Sequence, residues 1–214
     1  MSFCILIPTI NRKDLLQEAL KEYAILYPNT KKLILDNGNQ DIEAQDLMTV
    51  LYKSPQNLGV AASWNFLIKR AIEQGETNFL ILNDDVILKK GEGVINDIIK
   101  SHNKENSNEH HFYVCYESNH WSSYILNKSI YDKVGEFDEN FKRCFYEDND
   151  YAYRMKLNGV NYHIDQRLNP EVFLNNGSTI KDPNLRGDQE NREYFVSKWG
   201  GMPKEETYKT PFNV

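Results

Sequence analysis

Three acidic stretches are the places where this chain could do chemistry. The first is Asn83-Asp84-Asp85, which ends the apolar run Phe79 to Leu82. A strand that ends in adjacent carboxylates can present one to a divalent cation and the other to a sugar hydroxyl. Hard oxygen ligands of this kind suit Mg²⁺ or Mn²⁺ and leave positions for phosphate oxygens. The plainer reading is a solvated strand-to-turn junction, where Asn and Asp are common anyway. The second stretch is Tyr146 to Asp150, where Glu147, Asp148 and Asp150 crowd the start of a helix. Successive helical residues project about 100° apart, so one acid can face a cleft while another caps. A carboxylate beside a substrate hydroxyl can act as a general base, with partial burial raising its pKa toward working pH. Alternatively, the acids merely stabilise the helix N-terminus. The third is Asp36, at the end of a second strand and beside the Pro8-Thr9 exit of the first. It can accept a pyrimidine ring N–H or ribose hydroxyls, or be an ordinary turn aspartate. Each stretch alone is ambiguous; three acidic strand or helix ends around one carboxyl edge are harder to dismiss.

The elements that must position these groups follow from hydrophobic period. Short apolar runs alternate with amphipathic stretches, the rhythm of βαβ units and a mostly parallel sheet. Strands are expected at Phe3 to Ile7, Leu33 to Asp36, Thr49 to Tyr52, Phe79 to Leu82, Phe112 to Tyr116 and Ser123 to Leu126. Asn11 is placed to cap a helix that buries Leu15, Leu16, Ala19, Leu20 and Tyr23. A second helix carries Val60, Trp64, Leu67, Ile68 and Ala71 and stops at Gly75. A third carries Val94, Ile95, Ile98 and Ile99 and runs out into an exposed loop, HNKENSNEHH. Short helices are expected at Ser129 to Val134, from Glu147 toward Gly159, and around Gln189 to Lys198. Acids at the carboxyl end of a central strand sit where open α/β sheets place their ligands.

Composition bounds the rest. At 214 residues the chain fits one domain of ordinary size, with residues 1–170 as the catalytic body and 171–214 as an extension packed on it. The net charge of −6, with basic residues scattered, makes tracking along a phosphate backbone unfavourable. Cys4, Cys115 and Cys144 lack the spacing of a disulfide framework or zinc cluster. The opening apolar stretch, Phe3 to Pro8, is too short for a signal peptide or membrane span, which gives a cytoplasmic expectation.

The pieces in order resemble the glycosyltransferases of the GT-A fold, a Rossmann-like α/β/α sandwich, and within them the large, mostly inverting family 2. ILIPTINRKDLLQEAL is similar to that family's first strand and helix, and LILDNGNQD to its base-recognition acid and loop. NLGVAASWN is similar to its N-x-G-x-x-x-x-x-N stretch and FLILNDDVIL to its D-x-D strand. SSYILNKSIYDKVGEFDENF followed by FYEDNDYAYRMKLNG resembles its acceptor-side segment and E-D helix. The resemblance spans Phe3 to Tyr162. It implies that Pro8, Thr9 and Asp36 hold uracil or another base, with Arg12 and Asn57 lining the pocket. Asn83 and Asp84 then contact the nucleotide, Asp84 at the ribose, and Asp85 binds Mn²⁺ or Mg²⁺ across the diphosphate. Ser122 and Ser123 match a loop under the donor sugar, although serines at a strand entry are also unremarkable. Asp148 deprotonates the acceptor and Glu147 orients it or the donor. Apart from the resemblance, His120 and Trp121 precede the serines and can form an acceptor wall, since aromatic faces stack on sugar rings; plain core explains Trp121 equally well.

Two departures stand out. The first D-x-D position is Asn83, so cation binding leans on Asp85. Where family members carry a late histidine, this chain reads LNNGSTI, with Asn175 and Asn176; His163 is a candidate that an ordinary packed histidine explains as well. The implied partners are a nucleotide sugar, a UDP-sugar first, and a hydroxyl acceptor on a glycan, protein, lipid-linked sugar or modified nucleobase. A sugar-phosphate nucleotidyltransferase is opposed by Ile10-Asn11-Arg12-Lys13, which lacks the glycines that admit a triphosphate. A dinucleotide oxidoreductase is opposed by the absence of G-x-G-x-x-G. A catalytically silent carbohydrate- or nucleic-acid-binding module would have no use for a base aimed at an acceptor. The turn Trp199-Gly200-Gly201 is expected to fold over the sheet or part of the cleft.

Overall fold

The computed structural model describes residues 2–105, 113–117, 121–160, 162–173 and 182–214. In chain order the first half runs β1 (Cys4–Thr9), α1 (Lys13–Leu26), β2 (Lys32–Asp36), β3 (Thr49–Lys53), α2 (Val60–Glu73), β4 (Asn78–Leu82), β5 (Val86–Ile87) and α3 (Glu92–Glu105). The second half runs β6 (Tyr113–Cys115), β7 (Ser123–Asn127), α4 (Lys128–Val134), α5 (Glu147–Leu157), β8 (Tyr162–Ile164), β9 (Val172–Phe173) and α6 (Asp188–Trp199).

The strands form a seven-stranded sheet in the order β3-β2-β1-β4-β7-β6-β8. Strands β3, β2, β1 and β4 are parallel, β7 runs antiparallel to both β4 and β6, and β8 returns parallel to β6. This is the expected α/β class with a mostly parallel central sheet. β1, β2 and β4 are buried along nearly their whole length because helices cover both faces. Ile5 and Ile7 face Leu16, Leu20 and Tyr23 of α1 and Ile95, Ile98 and Ile99 of α3. Cys4 and Leu6 face Trp64, Leu67, Ile68 and Ala71 of α2 and Tyr151 and Met155 of α5. Each such side chain contributes on the order of 1.5–3 kcal/mol when fully buried, so the layers hold without covalent staples. Cys4, Cys115 and Cys144 are buried thiols outside any disulfide.

Three expectations are corrected and one small sheet is added. Asn11 does not cap α1: it adopts φ 54, and Arg12 occupies the cap position with no side-chain capping bond. α3 continues through Glu105 into the stretch read as loop, where His102, one turn past Ile98 and Ile99, is still buried; residues 106–112 lie outside the described residues. β5 and β9 pair into a separate two-stranded antiparallel sheet with no counterpart in the sequence reading, each being two residues long and so without a period. The turn at Trp199-Gly200-Gly201 does not cover the sheet. Trp199 is buried against Tyr153 of α5, ring centroids 4.9 Å apart, in a satellite core with Phe141 and Phe195. No helix among the described residues is long and apolar enough to cross a membrane.

Candidate active site at the carboxyl edge of the sheet

Because β1, β2 and β4 are parallel, their last residues share one edge. In register, Thr9 lies opposite Asp36, and β4 leads directly into Asn83, Asp84 and Asp85. The Thr9 hydroxyl donates to Asp84 Oδ2 at 2.7 Å, tying the exits of β1 and β4 together. Asp36 is buried; its Oδ1 accepts from the Gly38 amide at 2.9 Å and from Gln40 Nε2 at 3.1 Å. Its Oδ2 is buried with no partner among the described residues, as is Gln40 Oε1. A buried carboxylate oxygen without a donor costs free energy until something supplies one, so this corner fits a ligand N–H or O–H. Gln40 was not singled out in the sequence; it was one polar residue within a turn-rich run.

The acid pair beside it is under-compensated. Burial, and then the charge of Asp85, push the Asp84 carboxyl up to about 6 despite the Thr9 hydrogen bond and the nearby Arg12 guanidinium. Burial raises Asp85 as well, against Arg12. Among the described residues no three His, Cys, Asp or Glu side chains gather to hold a metal ion. Mg²⁺ and Mn²⁺ sites, however, commonly use one or two carboxylates and take the remaining ligands from phosphate and water. Two hard, partly desolvated carboxylates with one cation nearby fit that donor set. Tyr23 of α1 fixes the segment that follows: its hydroxyl donates to the Val86 carbonyl at 2.7 Å.

β7 then carries the edge across the sheet. The Asn83 amide donates to the Ser122 carbonyl at 3.0 Å, and Ser123 pairs with Leu82. Ser123 is wholly buried in the sheet and Trp121 is only 7% exposed, packed on Trp64, Tyr113, Tyr124 and Tyr151. Both are therefore core positions, the packed alternative that the sequence leaves open for Trp121 and for a serine at a strand entry. Ser122 is half-buried at the rim. His120, Asn175 and Asn176 lie outside the described residues. Tyr151 stacks on Phe137 at 4.0 Å, so the same aromatic cluster seats α5.

At the start of α5 the two acids occupy different surroundings. Glu147 is 5% exposed and its Oε2 has no partner among the described residues; burial, then the charge of Asp148, raise its carboxyl well above the ordinary range. Asp148 is half-buried, accepts from the Asn149 amide at 2.7 Å, and is raised by burial. It opens into a cavity of about 700 Å³ that also meets Tyr146 and the first turns of α6. The loop leading to it is strained: Arg143, Phe145 and Tyr146 all have φ between 59° and 82°. Such conformations persist where surrounding contacts over-determine them and recur at functional sites. Here Gly59, at φ 80, lets the loop lie against the start of α2, where the Val60 amide donates to the Arg143 carbonyl at 2.6 Å. From α2, Asn65 bonds the Phe137 carbonyl at 2.9 Å and its amide at 2.8 Å.

The sequence candidates thus fall into two groups. Thr9, Arg12, Asp36, Asn83, Asp84 and Asp85 gather at the sheet edge, with Pro8 half-buried in β1. Glu147 and Asp148 stand at the start of α5, and none of the strand-end acids lines the Asp148 cavity; the connection runs through Ser122, Trp121 and Tyr151. Asn57 is exposed, and its Oδ1 accepts from the Gly59 amide at 2.9 Å, within its own turn. His163 lies on β8, separated from β4 by β7 and β6, with its ring 4.9 Å from that of His102.

A mostly parallel sheet of this order, helices on both faces, and acids at the carboxyl ends of its central strands define the GT-A fold class. Solved structures share it. The catalytic domain of Drosophila beta1,4galactosyltransferase 7, in complex with xylobiose, superposes with TM-score 0.59 at 10% identity, covering 100% of this chain and 83% of that one. A variant of the same enzyme, in complex with manganese, UDP-Gal and xylobiose, gives TM-score 0.58 at 8% identity with the same coverage, 100% and 83%. S. aureus TarS gives TM-score 0.56 at 15% identity over 77% of this chain, which spans only 35% of the TarS chain. At such identities the likeness is one of fold. No family model and no curated protein sequence matches the chain.

Proposed function

We propose that this chain is a glycosyltransferase that moves a sugar from a nucleotide-sugar donor, a UDP-sugar first among them, to an acceptor hydroxyl with inversion. The observation that carries the reading is the pairing of two devices on one GT-A scaffold. One is a strand-end acid cluster with an unpartnered buried oxygen at Asp36; the other is the carboxyl pair Glu147 and Asp148, of which Asp148 opens into a cavity. The manganese and UDP-Gal in the Drosophila variant's structure support the choice of donor and cation.

In this reading residues 1–170 carry donor binding and catalysis and 171–214 form an extension packed on them. Thr9 and Asp36 hold the base, Arg12 and Asn57 border it, and Asp84, beside Asn83, meets the ribose. Asp85, with Asp84, would hold Mn²⁺ or Mg²⁺, and a bound cation would offset charge on the departing diphosphate. Glu147, the more deeply buried acid, keeps the shared proton and donates a hydrogen bond. Asp148 accepts the acceptor's proton as that oxygen bonds the anomeric carbon and the bond from carbon to diphosphate oxygen breaks.

With Mn²⁺ and a panel of UDP- and GDP-sugars, free nucleoside diphosphate is the expected product. UDP compounds should also raise the melting temperature most, since a ligand at a hundred times its Kd stabilises the native state by about 2.7 kcal/mol. Equal shifts with AMP, NAD and UDP would contradict the pocket assigned to Asp36.

A further inference from the structure

The Asp148 cavity has a second wall that the acid pair does not explain. Its far side is the start of α6, and α6 is locked to the strained loop. Asn191, wholly buried, accepts from the Lys142 amide at 2.9 Å. Its Nδ2 reaches the carbonyls of Lys142, Cys144 and Phe145 at 2.8, 3.0 and 2.8 Å. Gly187 makes the approach possible, since a Cβ there would stand 2.4 Å from the Lys142 carbonyl oxygen. Phe145 and Tyr146 are therefore held against the cavity by a fixed frame; the Tyr146 ring also meets Phe195 of α6 at 5.7 Å.

The lining chemistry selects an occupant. Phe145 and Tyr146 offer aromatic surface, while Asn149 and Gln189 offer amides that both donate and accept. The charges nearly cancel. Arg186 is paired with Asp188 and lies over the Phe145 ring at 5.5 Å, Gln189 Nε2 donates to Glu193 at 3.0 Å, and Arg192 lines the same walls as Glu193 and Asp148. With Asp148 ionised the lining carries more carboxylates than guanidiniums, so a phosphate or carboxylate on the occupant would enter a wall that is already net negative. A cationic occupant would have to compete with arginines already in place. A neutral polyol, with an apolar ring face and hydroxyls for planar amide and carboxylate groups, matches both features. The volume of about 700 Å³ falls within the roughly 300–1,000 Å³ of small-ligand sites.

Resting on the transferase reading, we infer that the acceptor is an uncharged saccharide, bound between the Phe145-Tyr146 loop and the start of α6 with one hydroxyl at Asp148. Saturation-transfer NMR tests this, with cellobiose and lactose as neutral probes and glucose 6-phosphate and glucuronate as anionic ones. Wild-type chain should transfer saturation to the neutral sugars. In the Gln189→Ala/Glu193→Ala variant, whose substituted side chains are exposed, their affinity should fall at least about fivefold, the scale of one lost net hydrogen bond. Equal binding by wild type and variant, or preference for the anionic sugars, overturns the inference. Donor hydrolysis by the wild-type chain is the separate readout. If neutral sugars bind at the cavity but no nucleotide sugar is turned over, the transferase reading fails while the saccharide site stands. If donor is hydrolysed yet neutral sugars do not bind there, the saccharide site alone fails.

Discussion

Glu147 and Asp148 are neighbours in sequence, and burial decides which keeps a proton. Glu147 is the more enclosed, so its neutral form is favoured and Asp148 is left to ionise first. Asp148→Asn should then lower transfer about 10²–10⁴-fold, as measured by nucleoside diphosphate release with acceptor. Donor-induced thermal shifts should persist, since the base pocket is untouched. For stability, a carboxyl whose folded pKa is raised contributes most below its unfolded value of about 4.3, and that contribution is lost as pH rises through the folded pKa. Glu147→Gln removes this loss. Its gain in unfolding free energy over wild type, read from urea midpoints, should be near zero at pH 4 and grow toward pH 8, at a rate not exceeding about 1.4 kcal/mol per pH unit. A gain independent of pH would mean that Glu147 is ionised in the folded chain. At this scale the sequence pointed to the candidate acids, because carboxylates at strand and helix ends are visible by type and position. It did not show Gln40 or Asn191. Asn191 is fixed by carbonyls 46 to 49 residues away, which no local pattern encodes; Gln40 donates to Asp36 Oδ1 from a turn that carries no hydrophobic period.

Among elements, α5 is set by contacts from both sides. On the inner side the cluster of Trp64, Trp121, Phe137 and Tyr151 receives it. On the outer side α6 reaches Asp150, which is wholly buried and accepts from Arg154 at 2.8 Å, Lys198 at 2.6 Å and Trp199 at 2.8 Å. Lys198 also meets Asp138 at 2.6 Å. Removing one member of such a network strands the others, so Asp150→Ala should cost about 3–5 kcal/mol, read from the urea midpoint at constant m-value. A cost under 1 kcal/mol would show that α6 is not braced through this residue. Gly59→Ala probes the other support: its φ of 80° and a Cβ position 2.9 Å from the Arg143 backbone nitrogen should destabilise by roughly 1–3 kcal/mol and displace the loop before Asp148. The main strands and helices were legible because each carries an apolar period long enough to read. The two-residue strands β5 and β9 were not, being fixed by partners distant in sequence, and neither was the start of α1, where Asn11 takes a left-handed φ of 54° and leaves the cap position to Arg12. Asp150 was read only as one of a crowd of helix-start acids; the lysine and tryptophan that bind it lie on another helix.

For the whole molecule, parallel β1, β2 and β4 place one acid group at the sheet edge, and antiparallel β7 carries the chain to the aromatic seat of α5. A sheet of this topology therefore sets acids from separate stretches at its carboxyl edge and at the start of α5, the two parts that the proposed function joins. A crystal structure of the chain with UDP and Mn²⁺ tests that arrangement most directly. We expect uracil to meet Asp36 Oδ2 and the diphosphate to lie at Asp85, with the Asp148 carboxyl facing the volume beyond the terminal phosphate. Nucleotide bound away from Asp36, or the body of the protein standing between the diphosphate and Asp148, would contradict the account.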